Sequence, residues 1–274
     1  MRLIAIVLLS LISCALFSQE SASTANAQVV VLKDTFTIAE LERPRSLRLY
    51  LPPNYHQSQK HYPVLYMHDA QNLFDRSTAF AGEWGVDELL SEMYEQDGFE
   101  LIVVGIDNGQ SHRIYELTAW DHPQYGKEEG QAYTSFVVNT VKPYIDKHYR
   151  TLADRENTAM MGSSLGGLIT HYALFAYPDV FGKVGILSPS YWWGNGPFEQ
   201  VKKSALPKDA KLYLLMGGKE GKQMLSSFNR LVELLIASGY QDQLKYKIEP
   251  SGEHREWFWN QEFEEAIRWL FQDN

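Results

Sequence analysis

"MMGSSLGGL", residues 160–168, sets two serines among glycines between two apolar runs. A buried strand has no need of glycine, and a helix start needs only one cap. Gly162-Ser163-Ser164-Leu165-Gly166 satisfies G-x-S-x-G only with Ser164 at its centre, because a frame centred on Ser163 would put Met161 and Leu165 at the glycine positions. "NTAMM" before it has strand character, and "LGGLITHYALFAY" after it has helical spacing. That strand–turn–helix context is what a nucleophile elbow requires: a sharp turn holds one serine in a strained conformation with its hydroxyl exposed, and glycines beside it make room. The competing reading is a tight turn in which Ser163 or Ser164 merely caps the helix.

A serine hydroxyl is a weak nucleophile and needs a base. On this scaffold the chain order is serine, acid, histidine. "KYKIEPSGEHREWFW" (245–259) supplies His254 after the last strand-like run, and no other histidine follows His171. The acid belongs after the penultimate strand, where "KLYLLMGGKEG" (211–221) places Glu220 behind Gly217 and Gly218. Its task would be to fix the tautomer of His254 and stabilise the imidazolium. Asp242, Glu249 and Glu253 are alternatives, and Glu220 could instead open the next helix. An oxyanion hole needs two backbone donors. Leu165 offers one, and the loop in "YPVLYMHDAQNLFD" (62–75) offers Ala70 or Gln71 for the other. His68 in that loop precedes the serine, the wrong order for the base, and reads as a buried structural residue.

Apolar runs "VVVL", "SLRLYL", "PVLYM", "LIVVGI", "NTAMMG", "KVGIL", "KLYLLM" and "LKYKIE" read as strands, the central ones apolar on both faces. Helical periodicity marks "WGVDELLSEMYEQ", "AYTSFVVNTVKPYIDKHY", "MLSSFNRLVELLIASG" and "EWFWNQEFEEAIRWLF". Pro143 either kinks the second of these or starts a new turn, and Gly239 caps the third. Strands first, then strand and helix in alternation, predict an α/β fold: a mostly parallel central sheet with helices on both faces and an antiparallel N-terminal edge. Functional residues should then follow strands directly.

The 274 residues, 45% apolar, suffice for one domain with a sizeable core, and the net charge of −9 argues against nucleic acid or an anionic membrane as partner. Residues 1–27 differ in kind. Arg2, the apolar stretch Leu3 to Phe17, and Ala25-Asn26-Ala27 have the layout of a secretory signal peptide, leaving one domain over 28–274 and a periplasmic or secreted location. Leu11-Ile12-Ser13-Cys14 offers a lipoprotein alternative, with a lipid anchor at Cys14. That cysteine is the only one, so the mature domain has no disulfide. No transmembrane span is expected, because the leader stretch is short. No metal motif, dinucleotide fingerprint or phosphate loop is present, so no cofactor and no metal are expected.

"MHDAQNLFD", "GSSLGG", "SPSYWW" and "SGEHREWFW" together resemble the putative esterase family of α/β-hydrolases, which includes siderophore (enterochelin-type) esterases, feruloyl and acetylxylan esterases and esterase D-like enzymes. The resemblance runs from about Ser46 to Phe271. It implies Ser164 as nucleophile, His254 as base, and Gln71 and Leu165 as oxyanion donors. Two departures stand out. The family usually carries glycine where Ala70 stands, which implies a looser approach of that loop. The family includes members that work with a Ser-His dyad, so the resemblance leaves the role of Glu220 open.

Arg113, in the loop after "LIVVGI", is similar to an arginine of siderophore esterases that faces an anionic or polyphenolic substrate; the alternative is an Arg113–Glu116 ion pair stiffening the loop. Trp192 and Trp193, after "KVGIL", are expected to wall the substrate pocket, whereas Trp257 and Trp259 are expected in the core. The expectation is a serine ester hydrolase acting on a small-molecule or carbohydrate ester, possible substrates being siderophore, aryl and sugar esters, and a monomer is the simplest state. An acyltransferase on the same scaffold, or a non-catalytic polyphenol- or siderophore-binding protein, are the rival readings.

Overall fold

The computed structural model describes residues 22–272. Residues 1–21, which hold Cys14 and most of the expected signal peptide, lie outside the described residues. Eight strands form one sheet: β1 (Val29–Ile38), β2 (Arg43–Tyr50), β3 (Val64–His68), β4 (Ile102–Ile106), β5 (Thr158–Ser163), β6 (Lys183–Leu187), β7 (Lys211–Gly217) and β8 (Leu244–Glu249), in the order β1-β2-β4-β3-β5-β6-β7-β8. β1 pairs antiparallel with β2 and β2 antiparallel with β4, while all later pairings are parallel. The expected antiparallel N-terminal edge is therefore present.

Side chains alternate between the two faces of each strand. Val64, Tyr66, Ile102 and Val104 enter one apolar layer, and Leu65, Met67 and Val103 enter the other. Two helices, α1 (Val86–Asp97) and α8 (Glu256–Phe271), cover the second layer through Leu90, Met93, Phe263 and Ile267. In chain order, the short α2 (Arg113–Glu116) follows β4. Then α3 (Gly130–Phe136), α4 (Lys142–His148), α5 (Leu165–Ala176), α6 (Gly196–Lys203) and α7 (Lys222–Ala237) supply the first layer through residues such as Tyr133, Ile145, Leu168, Phe198 and Phe228.

Residues Val137–Val141 between α3 and α4 wind as a π-helical segment, so the 130–148 stretch is one continuous rod whose pitch changes just before Pro143. Proline in the first turn of α4 removes an N–H, and the widened turn absorbs the change. α7 ends at Ala237, and Gly239 takes the left-handed conformation just beyond it (φ 87°). Among the described residues no helix is long and apolar enough to cross a membrane.

Candidate active site

β5 ends at Ser163, and the next residue turns sharply. Ser164 has φ 58° and ψ −122°, a region that non-glycine residues rarely occupy. Its N–H donates to Leu187 O at 3.0 Å and its carbonyl accepts from Ser190 N at 3.1 Å, so the loop after β6 holds the turn in place. The Ser164 side chain makes no cap bond to α5. Its hydroxyl instead lies 3.3 Å from Ser190 Oγ. Ser164 therefore does not serve as a side-chain cap of α5.

The two flanking glycines are not equivalent. A Cβ on Gly162 would lie 2.7 Å from the main chain of Gly166 and 2.8 Å from the His68 ring, which no packing tolerates. A Cβ on Gly166 would meet its nearest neighbours at 3.4 and 3.6 Å, ordinary contact distances. Only Gly162 is demanded by space.

Glu220 sits in the turn after β7 and His254 in the loop after β8. Those two loops are laced together: Gly218 N donates to Glu249 O at 2.7 Å, and Lys219 N to Gly252 O at 3.0 Å. His254 Nδ1 is 2.6 Å from Glu220 Oε2. The carboxylate side chain is fully buried, while the imidazole remains 39% exposed and free to meet a ligand. The alternatives Asp242, Glu249 and Glu253 do not reach the imidazole; Glu249 bonds Ser251 and Glu253 faces Lys219.

Sequence reading missed what holds the carboxylate. Ser188, which follows β6 with φ 44°, donates from Oγ to Glu220 Oε1 at 2.5 Å, and Gly217 N–H donates to the same oxygen at 2.9 Å. Trp259 Nε1–H in turn donates to Ser188 Oγ at 2.8 Å. The Trp259 and His254 rings also meet in a T-shaped contact, with centroids 5.2 Å apart. Trp259 is thus buried as expected, but it supports the site. Trp257 contradicts its core expectation: it is 43% exposed, because α8 turns that face outward.

The loop after β3 begins at Asp69, itself left-handed (φ 56°), and continues as a short turn over Ala70–Asn72. Gln71 is locked to the loop after β4 by a reciprocal pair, Gln71 Nε2–H to Asn108 O at 3.1 Å and Asn108 N–H to Gln71 Oε1 at 3.0 Å. Leu165 opens α5, where an N–H has no acceptor within the helix. Alanine at position 70 is accommodated locally: Ala70 is fully buried, and its methyl lies where a Cβ on Gly105 would come within 2.8 Å. The methyl points into the sheet, where Gly105 makes room for it. His68 is buried between Tyr133 OH (2.7 Å) and Thr170 Oγ1 (3.2 Å), and burial lowers its pKa to about 4, as befits a structural histidine.

Two cavities meet at Ser164 and His254. The larger, about 360 Å³, is walled by Phe80, Trp84 and Trp259 with Arg113 and Arg255 at its polar side. The smaller, about 280 Å³, is lined by Leu165, Ser190, Trp192 and Met224 and also includes Arg113 and Glu220.

Arg113 does reach the site, but its partner is Asp69 and not Glu116. Nε is 2.6 Å from Oδ1 and Nη2 is 2.9 Å from Oδ2. Burial opposes the arginine charge, yet Asp69 outweighs it and raises the pKa. Glu116 is fully buried against Arg45 and Arg43 instead. Trp193 also departs from expectation. It is only 4% exposed, donates Nε1–H to Trp120 O at 2.8 Å and stacks on Tyr125. Adjacent residues in the tight turn Tyr191–Trp193 point in different directions, so Trp192 faces the cavity and Trp193 the core.

Comparison with known proteins agrees with this architecture. Residues 38–270 match the family model described as "Putative esterase". Over 246 residues the chain is 30% identical to "Uncharacterized protein YbbA" of Bacillus subtilis (strain 168), covering 84% of this chain and 94% of that one. It is 27% identical over 214 residues to "Endo-1,4-beta-xylanase/feruloyl esterase" of Xylanibacter ruminicola, covering 76% of this chain but only 27% of that longer protein. In structure it resembles the enterobactin esterase FES from Shigella flexneri with a TM-score of 0.72 at 18% identity, over 92% of this chain and 61% of that one. With its α/β sheet and the matched span, the chain belongs to the putative esterase family, and its coarse activity class is that of an ester hydrolase.

Proposed function

We propose that the chain is a serine carboxylic-ester hydrolase that works through an acyl-enzyme. The observation that carries this reading is the meeting of Ser164, strained at the elbow, with a His254–Glu220 pair at the junction of two cavities. The mechanism requires the Ser164 hydroxyl, now beside Ser190, to turn to His254 Nε2, with which it shares both cavities, a tightening that ester binding commonly completes. Ser164 Oγ then attacks the ester carbonyl while His254 takes its proton. The main-chain N–H groups of Leu165 and Gln71 receive the developing alkoxide. Collapse breaks the acyl–oxygen bond, and His254 returns the proton to the leaving alcohol. Water, deprotonated by the same imidazole, releases the acid and regenerates Ser164. Glu220 holds Nδ1 protonated and offsets the charge of the imidazolium.

An ester has an acyl half and an alcohol half, and two cavities on either side of Ser164 accommodate one each. The aromatic wall of Phe80, Trp84 and Trp259 suits a flat aryl or sugar group. Aryl esters, siderophore esters and sugar esters are the candidate substrates, a range supported by relatives described as feruloyl esterase and siderophore enterobactin esterase. The leader over residues 1–27 supports export to the periplasm or beyond.

Hydrolysis of p-nitrophenyl acetate and butyrate, compared between the parent and Ser164→Ala, tests the reading. The parent should turn over both esters, and the variant should lose about 10³-fold or more in kcat with unchanged circular dichroism. Full activity in the variant would refute it.

A further inference from the structure

Beside the two cavities at Ser164 lies a third, of about 350 Å³, that the steps above do not use. Gln71, Thr78, Asn108 and Gln110 line it, together with Phe80 and Arg113, which also line the larger active-site cavity. A ligand seated at Ser164 that is long enough to cross Phe80 reaches it.

Phe80 is 58% exposed and meets no other aromatic ring among the described residues. A single exposed aromatic carries no meaning by itself. This one stands on a fixed backbone: its N–H donates to Asn72 Oδ1 at 3.0 Å. Two residues earlier, Thr78 Oγ1 donates to Gln71 O at 2.8 Å and accepts from Arg48 Nη1 at 2.9 Å. A ring held in place and open to solvent at a cavity wall is a stacking surface.

Gln110 is a second and separate sign. It takes the left-handed conformation (φ 54°), unfavourable for a residue with a Cβ. Its N–H donates to Asn108 Oδ1 at 2.9 Å, and Asn108 is held in turn by Gln71 and Asp69. The Gln110 side-chain amide has no hydrogen-bond partner among the described residues, yet it lines the cavity. An unspent donor and acceptor are thus fixed at the wall.

Charge narrows the ligand. Of the lining residues only Arg113 is ionisable, and Asp69 already engages its Nε and Nη2 at 2.6 and 2.9 Å. The other polar groups are neutral amides and one hydroxyl. Such a wall suits a ring with several hydroxyls, which hydrogen-bonds at its rim and stacks through its C–H face.

We propose that this cavity is an accessory subsite for a neutral sugar ring, so that the alcohol half of the ester is an oligosaccharide of two rings or more. The proposal rests on the hydrolase reading above. The smaller cavity, with Leu165, Trp192 and Met224, takes the acyl group. The larger, with Asn72, Arg255 and Glu256 as polar groups, takes the acylated ring against Trp84 and Trp259. The next ring stacks on Phe80 and bonds to Gln110.

The test compares the 6-O-acetate of methyl glucoside with the mono-6-O-acetates of methyl maltoside and methyl cellobioside. At least one disaccharide ester should exceed the monosaccharide ester in kcat/KM by about tenfold, the gain that one or two added contacts supply. Gln110→Gly keeps the left-handed backbone and removes the amide; Phe80→Leu keeps apolar bulk and removes the ring. Each should bring the ratio below about threefold. Calorimetric titration of Ser164→Ala with the same esters should give the same ratio in Kd without turnover. A ratio near one for both disaccharides overturns the subsite, as does a ratio that neither variant lowers. Turnover of p-nitrophenyl acetate separates the two claims. If that ester is cleaved and the ratio is near one, the subsite fails alone. If it is not cleaved, the hydrolase reading fails and the Kd ratio decides the subsite.

Discussion

Glu220 holds His254 with one carboxylate oxygen, Oε2 to Nδ1 at 2.6 Å, while its other oxygen is fixed by Ser188 and the Gly217 main chain. Both oxygens are therefore occupied on the protein side, and the acid has one orientation only. That relation favours a triad over a dyad. Glu220→Gln can present an amide N–H to His254 and stabilise the wrong tautomer. It should lower kcat for p-nitrophenyl acetate by about 10²- to 10⁴-fold with the fold intact by circular dichroism. A loss under about tenfold would mean that Ser164 and His254 act without it.

Trp259 and Ser188 should act as positioning residues. Trp259→Phe keeps the packing but removes the Nε1–H that steadies Ser188 Oγ. One hydrogen bond of about 1 kcal/mol corresponds to roughly a fivefold fall in kcat. The informative readout is the pH–rate profile: its acid limb should move as the imidazole loses part of its support, whereas a purely packing role would leave that limb in place.

The two elbow glycines make a paired prediction. Gly162→Ala forces a Cβ into the Gly166 main chain and the His68 ring and should abolish activity or folding, whereas Gly166→Ala should retain most of both. Soluble yield, Tm and turnover of the two variants measured side by side are the check. An active Gly162→Ala protein would show that the turn is looser than its contacts imply.

Acid should weaken the fold through buried histidines. Burial lowers His68 to about 4 and His171 to about 3, so the unfolded chain takes up these protons first. The stability they contribute is complete above about pH 6.5 and is lost as pH falls toward 4 and then 3. At pH 5 each costs on the order of 2 kcal/mol. Urea unfolding at pH 7 and pH 5 should show a smaller loss for His171→Gln than for the parent, by about that amount. Equal losses would mean that His171 is protonated in the native state.

Much of this was legible because the chemistry has a fixed chain order. Ser164, Glu220 and His254 each follow a strand, and the parallel sheet brings those strand ends side by side, with Ser163 opposite Leu187 and Leu187 opposite Leu215. All eight strands were readable as apolar runs. What escaped depended on direction and on distant pairing. Periodicity does not say which of Trp192 and Trp193 faces a cavity when both sit in one tight turn. Arg113 pairs with Asp69, 44 residues away across two loops, a partner that sequence proximity, which offers Glu116, does not reveal. Ser188 carries no local pattern at all; its role exists only because β6 lies between β5 and β7.

The most direct measurement of the central claim is covalent trapping. The protein should be treated with a p-nitrophenyl alkylphosphonate, which phosphonylates an activated serine and releases nitrophenol, then analysed by intact mass and peptide mapping. One adduct per chain, located on Ser164 and absent from Ser164→Ala and from His254→Ala, is the predicted result. No adduct in the parent, or an adduct that persists on another residue in Ser164→Ala, would contradict the serine mechanism.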